Sequence, residues 1–186
     1  MIWLVFWRSK SGRIRQFLIF DMIKTIKVGS RLVEKGKIYR VYKIEKTQRN
    51  GESDRIIHYK PFFSGTVNAD IICCVPETSL EEINVRYPLP KEDIDRILAK
   101  LSIKVNKIGD LDVIASKEAL RENNLEITAE IVHRFWVASK RVEENFTKSN
   151  RDLLEHAMLH FIEEVALVYN ITLETARAKT LAALET

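Results

Sequence analysis

The segment "EHAMLHFIEE" brings together the residue types that most often bind metals in proteins. His156 and His160 are four positions apart, so a helix would place both imidazoles on one face. A zinc protease needs a glutamate directly after the first histidine, and Ala157 stands there instead. Glu163 and Glu164 could supply oxygen ligands, but no second segment offers the Glu and His pair of a di-iron bundle. We therefore expect no metal here and interpret the segment as a solvent-facing polar side of a helix.

Covalent catalysis finds no support in the sequence. No serine or cysteine lies in a glycine-flanked turn, and His58 and His133 have no triad context. No glycine-rich phosphate loop is present, because "GSRLVEKGK" lacks both the spacing and the final Ser or Thr. We predict a protein that is not an enzyme and has neither a cofactor nor a small-molecule substrate.

The two cysteines, Cys73 and Cys74, are adjacent in "IICCVP". Neighbours on a strand point to opposite faces, so this pair suits neither a disulfide nor a metal site. We interpret them as two small apolar residues in the reducing environment of the cytoplasm.

The charge of the chain is divided unevenly along its 186 residues. Residues 1–66 contain 15 Lys and Arg against 5 Asp and Glu, a net charge of +10. Residues 67–186 contain 15 against 21, a net charge of −6. A basic first part and an acidic second part indicate two modules with different partners.

The N-terminal segment has an apolar opening, Met1 to Trp7, that is too short for a signal-peptide core or a membrane span. Basic residues follow it, so one interpretation is an amphipathic extension that binds a membrane surface without stable insertion. The other interpretation is an upstream start codon, with Met22 opening the domain. The second is favoured, because an organised pattern begins only after Met22. We treat residues 1–21 as an extension.

Residues 22–88 have the composition of short strands. β-branched and aromatic runs alternate with glycines, and they predict strands near 31–34, 38–46, 55–62 and 70–75, with "RNGE" as a hairpin turn. Antiparallel strands this short protect their edges by closing or curling. The fold class that we predict is α+β, with a small antiparallel β-barrel of SH3 or Tudor type followed by an all-α helical bundle.

Residues 89–186 predict the bundle, since no glycine or proline occurs after Gly109. Apolar stripes at helical spacing mark helices in "PLPKEDIDRILAKL", "NLEITAEIVHRFWVASKRV", "SNRDLLEHAMLHFIEEVALVY" and "TLETARAKTLAAL", and a short helix is expected over 116–122. Trp136 lies on the stripe beside Phe135, which favours core packing.

Several stretches resemble one family in the same order along the chain. "IKVGSRLVEKGKIYRVYKIEK" with "CCVPETSLEEINVR" resembles the N-terminal module of the CarD/CdnL transcription regulators. "AEIVHRFWVASKR" followed by "FTKSNRDLLEHAMLHFIEEVAL" resembles the C-terminal helical domain of that family, and "VRYPLPKEDIDRILAKL" stands where its joining helix lies. The resemblance runs from about Met22 to Thr186, and it is carried by the collinear set rather than by a single motif.

The resemblance implies a monomeric bacterial factor that docks its barrel on the β subunit of RNA polymerase. Its helical domain would reach promoter DNA at the upstream edge of the transcription bubble and stabilise the open complex. Basic ribbons on a small barrel serve protein docking as readily as nucleic-acid binding. The candidate polymerase-binding residues lie on the second and third strands: Lys43, Lys46, Arg49, Arg55 and His58.

The DNA-binding part of the resemblance contains a departure. The family places a Trp followed by basic residues before the long helix, where a wedge and phosphate contacts are needed. The matching stretch here, "NKIGDLDVIASKEAL", has acidic residues instead, and Ile108 or Ile114 would be a poorer wedge. Four cations remain as candidate DNA contacts: Lys140, Arg141, Lys148 and Arg151. We expect weak, sequence-independent and salt-sensitive contact.

Two other functions remain open. One is an adaptor that binds proteins through both modules and has no DNA contact, in line with the missing Trp and the acidic second part. The other is a barrel that binds RNA directly. Direct RNA binding would need aromatic stacking platforms, for which Tyr39, Tyr42 and Tyr59 are the only candidates.

Overall fold

A computed structural model of the chain describes residues 26–49, 52–63, 71–80, 82–103, 111–141 and 146–186. The predicted N-terminal extension and the tip of the "RNGE" turn lie outside these residues. The described part is α+β: an antiparallel sheet comes first and five helices follow. None of the described helices has both the length and the apolar character needed to cross a bilayer.

The sheet has four strands in the order β1-β2-β3-β4, and every neighbouring pair is antiparallel. The strands are β1 (Arg31–Glu34), β2 (Lys37–Arg49), β3 (Glu52–Pro61) and β4 (Cys73–Pro76). A short 3-10 turn, Glu77–Ser79, follows β4. The chain then returns to the other edge of the sheet, where Arg86 and Val33 exchange backbone hydrogen bonds of 2.8 and 3.0 Å. The described sheet is open, and its closure into a barrel stays a prediction.

The β1–β2 hairpin turns on only two residues, Lys35 and Gly36. Both have positive φ, 49° and 74°, which is the backbone of a type I′ turn that matches the twist of the flanking strands. Glycine adopts such a φ at no steric cost, so the sequence "VEKGK" specifies this tight turn. The predicted strand–turn–strand is therefore confirmed, with β2 extending to Arg49.

Five helices follow the sheet, and their bounds agree with the predicted stripes. They are α1 (Lys91–Leu101), α2 (Val113–Leu120), α3 (Leu125–Arg141), α4 (Lys148–Tyr169) and α5 (Leu173–Leu184). Asn124 caps α3, since its Oδ1 accepts from the Glu126 N–H at 2.9 Å. Helix α2 begins earlier than expected because the Asp112 side chain caps it, accepting from the Ala115 N–H at 2.9 Å.

The described residues form two hydrophobic clusters. The sheet cluster takes its buried members from β1, β2 and β3 and from the segments before β1 and after β4: Ile26, Leu32, Val41, Ile57, Tyr59, Leu80 and Val85. The helical cluster is larger and is centred on α3 and α4, where Phe135 and Phe161 are fully buried. Trp136 is half-buried and packs against this second cluster, as its stripe position predicted. The two clusters therefore give the sheet and the helices separate cores.

Candidate functional site

The outer face of the sheet carries a cluster of aromatic and basic side chains at a β-bulge. The register between β2 and β3 shifts between Val41 and Lys43, so Tyr42 is the extra residue. Tyr42 is 36% exposed, and its ring lies 6.0 Å from the His58 ring and 5.8 Å from Lys60 Nζ. We call Tyr42, Lys43, His58 and Lys60 the outer-face cluster.

Glu45 organises the charge of the outer-face cluster. Its carboxylate pairs with the Lys43 ammonium and lies 3.3 Å from His58 Nε2. The hydrogen bond from Lys43, and then that from His58, lowers the pKa of Glu45. Cys74 is exposed on the same face, with its Sγ 4.0 Å from His58 Nε2. Since one imidazole nitrogen faces both the thiol and the carboxylate, the relay of a catalytic triad, which uses both ring nitrogens, is not formed.

The five predicted polymerase-binding residues do not share one face of the sheet. Lys43 is paired with His58 on the outer face, whereas Lys46 is paired with Arg55 and points to the opposite side. The Arg55 guanidinium turns inward, donating to the Ile26 carbonyl at 2.6 Å and lying 2.8 Å from Glu77 Oε1. The side chain of Arg49 lies outside the described residues. Only Lys43 and His58 of the predicted set therefore belong to the outer-face cluster.

A buried ion pair joins the sheet to the helices. The Arg86 guanidinium donates two hydrogen bonds to the Glu164 carboxylate, at 2.7 and 2.6 Å, and Glu164 is only 1% exposed. The Leu89 N–H donates to the same carboxylate at 2.7 Å, and Arg86 Nε donates to the Asn123 carbonyl at 2.6 Å. The carboxylate is thus satisfied by charge and by directed hydrogen bonds, as burial requires.

Asn123 connects three segments through its side chain. Its Oδ1 accepts from the Gly36 N–H at 3.0 Å, and its Nδ2 donates to the carbonyls of Val33 and Asn84 at 2.9 and 2.8 Å. Its φ of 54° is left-handed, a conformation that Asn tolerates better than most residues. Because the amide satisfies three backbone groups while buried, the α2–α3 connection is fixed against the β1–β2 hairpin.

Helix α4 carries buried polar residues where the sequence suggested a solvent-facing side. That interpretation of "EHAMLHFIEE" was wrong for His160, Glu163 and Glu164, which are buried against the sheet. Glu163 Oε2 accepts from the Ile38 N–H at 2.8 Å, although burial still raises the pKa of this carboxyl. His156 is exposed, and its ring centroid lies 4.2 Å from that of His160. Among the described residues, no group of three or more His, Cys, Asp or Glu is placed to hold a metal.

The four predicted DNA-contacting cations meet at one end of the helices. Helix α3 ends at Arg141 and α4 begins at Lys148, and the two helices pack against each other, so the pairs Lys140/Arg141 and Lys148/Arg151 lie at consecutive helix ends. All four are exposed, and Lys140 Nζ lies 4.6 Å above the Trp136 ring. Glu163, which contacts the sheet, lies farther along the same helix, roughly 22 Å from Lys148 at about 1.5 Å per residue.

The predicted wedge residues have different fates. Ile108, with Gly109 and Asp110, lies outside the described residues. Ile114 is 74% exposed at the start of α2, where Arg134 Nη2 donates to Ser116 Oγ at 2.9 Å and ties α2 to α3. Asp112, one of the acidic residues in that stretch, caps α2.

The aromatic platforms expected for direct RNA binding are largely buried. Tyr59 is buried in the sheet cluster, where its OH donates to Glu34 Oε2 at 2.9 Å. Tyr39 stacks edge-on against Tyr59 with ring centroids 5.3 Å apart. Tyr42 alone of the three candidates is exposed, which disfavours stacking of successive bases.

Neither models of known protein families nor curated proteins give a match to this chain.

Proposed function

We propose that this chain is a CarD-like transcription regulator. In this proposal its sheet, curled as an SH3- or Tudor-type barrel, binds the β subunit of bacterial RNA polymerase in the cytoplasm. Its helices then contact promoter DNA weakly and stabilise the open complex. The protein performs no chemical step itself.

The observation that carries the proposal is the contact between the segments on which the resemblance rests. Arg86 belongs to "CCVPETSLEEINVR" and Glu164 to "FTKSNRDLLEHAMLHFIEEVAL", and these two residues form the buried ion pair. Segments that are 78 positions apart thus meet through specific side chains. The two parts of the resemblance therefore pack together in one folded unit, as the proposal requires.

The outer-face cluster is the proposed docking surface. Tyr42 offers an exposed aromatic ring, a residue type enriched at protein interfaces, and Lys43 and Lys60 add positive charge that would steer an anionic partner. Strand β4 is an edge strand of only four residues, preceded by the exposed Ile71 and Ile72. A partner strand can pair with such an edge, while the cluster sets its orientation.

The test is a pull-down of purified bacterial RNA polymerase by the full chain and by matched charge reversals. Lys43→Glu with Lys60→Glu changes the outer-face cluster, and we expect at least a tenfold loss of capture. Lys46→Glu reverses a charge on the opposite side of β2 and should leave capture unchanged. No capture of polymerase by the unaltered chain at moderate salt would remove the proposal. Equal loss in both variants would place docking elsewhere on the sheet.

The alternative function is an adaptor that binds polymerase or another protein without touching DNA. The acidic second part of the chain favours it. Both functions predict capture of polymerase in the pull-down. They predict different footprints of the protein on a polymerase–promoter complex. Added protection at the upstream edge of the bubble supports the regulator, whereas an unchanged footprint supports the adaptor.

A further inference from the structure

A cleft of about 650 Å³ lies between the β1–β2 hairpin and helices α2 and α4. Its volume falls within the range of small-molecule sites, roughly 300 to 1,000 Å³. Three apolar or aromatic side chains, Tyr39, Leu120 and Leu153, form part of its wall. The residues that line the cleft include none of the outer-face cluster and none of the four candidate DNA-contacting cations, so neither proposed interface accounts for it.

The cleft is lined by more cations than carboxylates. Lys35, Lys37, Lys117 and Arg121 come from the hairpin and from α2 and its C-terminal turn. The carboxylates are Asp152 on α4 and Glu34, and the latter accepts from the Tyr59 OH at 2.9 Å. Lys35 Nζ lies 3.9 Å from Glu34 Oε1, at the limit of an ion pair. Positive charge from separate elements therefore converges on one concave surface.

Two imidazoles line the cleft, and both resist protonation. Burial lowers the pKa of His156, and the nearby Lys37 and Lys117 lower it further. Burial, followed by His156 and Lys37, lowers the pKa of His160 to about 3. Cations on β2 and on α2 thus act on the same ring of α4. The lining thus carries four cations against two carboxylates, those of Glu34 and Asp152.

We propose that this cleft binds a small phosphorylated organic molecule. Lys117, Arg121 and Lys37 hold the phosphate groups, since ammonium and guanidinium donors make strong charge-assisted hydrogen bonds to phosphate. Tyr39, Leu120 and Leu153 contact the apolar or planar remainder of the ligand. A bound ligand would bridge the hairpin of the sheet and two helices of the bundle.

The phosphate could belong to a free metabolite or to the backbone of DNA, and we commit to the free metabolite. A duplex is bound through many phosphates spread along its backbone, whereas this cleft has the size of a single small ligand. The inference does not depend on polymerase binding, so it can succeed or fail separately from the proposed function.

The experiment titrates the full chain with ADP as a probe, followed by calorimetry and by NMR of the His156 imidazole. Inorganic phosphate and a 20-base-pair duplex serve as comparison ligands. We expect ADP to bind at least tenfold more tightly than inorganic phosphate and to raise the pKa of His156, because a nearby anion favours the imidazolium. No binding of ADP at millimolar concentration would overturn the proposal, as would a His156 response to the duplex alone.

Two double variants locate the site. Lys117→Glu with Arg121→Glu should weaken ADP binding at least tenfold, and both residues are exposed, so the fold is expected to persist. Lys91→Glu with Lys179→Glu reverses two exposed charges on α1 and α5, outside the cleft lining, and should leave ADP affinity within twofold. Equal weakening in both variants would mean general attraction of anions and would overturn the proposal. Circular dichroism of both variants checks that they remain folded.

Discussion

Gly36 lies directly against the ring of His160, so that a Cβ added at Gly36 would stand 2.2 Å from the Cγ and Nδ1 of His160. Within the described part of the chain, that Nδ1 is buried and has no hydrogen-bond partner. The tip of the β1–β2 hairpin is thus pressed onto helix α4 with no room for a side chain. The turn and the sheet–helix contact depend on the same glycine.

Gly36→Ala should destabilise the protein by at least about 3 kcal/mol. The left-handed φ of 74° costs an alanine about 1 kcal/mol, and the clash with His160 forces the hairpin away from α4. Urea unfolding followed by circular dichroism measures the change. Gly29→Ala is the matched control, since Gly29 has a φ of 93° but no atom within 4 Å of an added Cβ. That control should lose only about 1 kcal/mol.

A double variant separates the two causes. His160→Ala makes room for the added methyl group, so Gly36→Ala with His160→Ala should be less destabilised than the sum of the single changes. A coupling energy near zero would show that the backbone conformation alone explains the loss.

Glu164→Gln should destabilise the protein by about 2 to 4 kcal/mol. The change leaves the Arg86 guanidinium facing a neutral amide in a largely buried setting, where an unpaired charge is costly. This loss of stability is smaller than that expected for a fully buried ion pair, because the Arg86 side chain keeps partial access to solvent. Denaturant unfolding gives the free energy of unfolding directly.

The control for this ion pair lies on the same helix. Glu155 and Arg177 form an exposed pair with oxygens and nitrogen 2.8 Å apart. Surface pairs contribute little, so Glu155→Gln should change stability by less than about 1 kcal/mol. Similar losses for both variants would contradict the structural role assigned to Glu164.

Stability should fall as the pH drops below about 6.5, in part because of His160. Burial lowers the pKa of His160 to about 3, so the unfolded chain takes up this proton at a pH where the folded chain does not. Between pH 8 and pH 5 this histidine alone should remove about 2 kcal/mol from the free energy of unfolding. Thermal or urea unfolding across this range measures the slope.

The comparison with His160→Met isolates that contribution, because the methionine cannot titrate. His156 and His133 also have lowered pKa values and act in the same direction in both proteins. Glu163 acts in the opposite direction, since its raised pKa lets the folded chain bind a proton first. A slope that is identical in the two proteins would assign the pH dependence to other groups.

DNA binding by the four cations at the end of α3 and the start of α4 should be weak and strongly salt-dependent. Lys148→Glu with Arg151→Glu should abolish measurable binding to a short duplex at 0.15 M salt, because each contributes only a phosphate contact. Fluorescence anisotropy over a salt series should show a shallower slope of log affinity against log salt in a single Lys148→Gln variant, by about 1. An unchanged slope would exclude Lys148 from the interface.

The fold could largely be predicted because period and turn chemistry are local. The stripe of Leu153, Ala157 and Phe161 identified α4, and "VEKGK" identified the hairpin. Glu164 was misjudged as solvent-facing, although it lies three positions after Phe161 and so falls on the same buried stripe. The interpretation relied on the charge of Glu164, which favours exposure, and not on its position, which favours burial. Its partner Arg86 is 78 residues away in the sequence. No local signal identifies such a partner.

The candidate docking residues were harder to predict for a different reason. The candidate set mixed two faces of β2, although Lys43 and Lys46 are three positions apart beyond the bulge at Tyr42, and alternation alone places them on opposite sides. Arg55 is basic in the sequence, yet it serves a carbonyl and a carboxylate at the edge of the sheet core. A charged side chain can be structural whenever its partners come from distant segments.

The polar junction around Asn123 and Arg86 has a mechanical consequence. An apolar contact lets two bodies slide and rotate at little expense, whereas hydrogen bonds lose strength steeply when their angles change. We therefore expect the junction to restrain the angle between the sheet and the helices, and with it the spacing between the outer-face cluster and the cations at the ends of α3 and α4. A partner bound at the outer-face cluster would thus determine which part of a second partner the cations of α3 and α4 can reach.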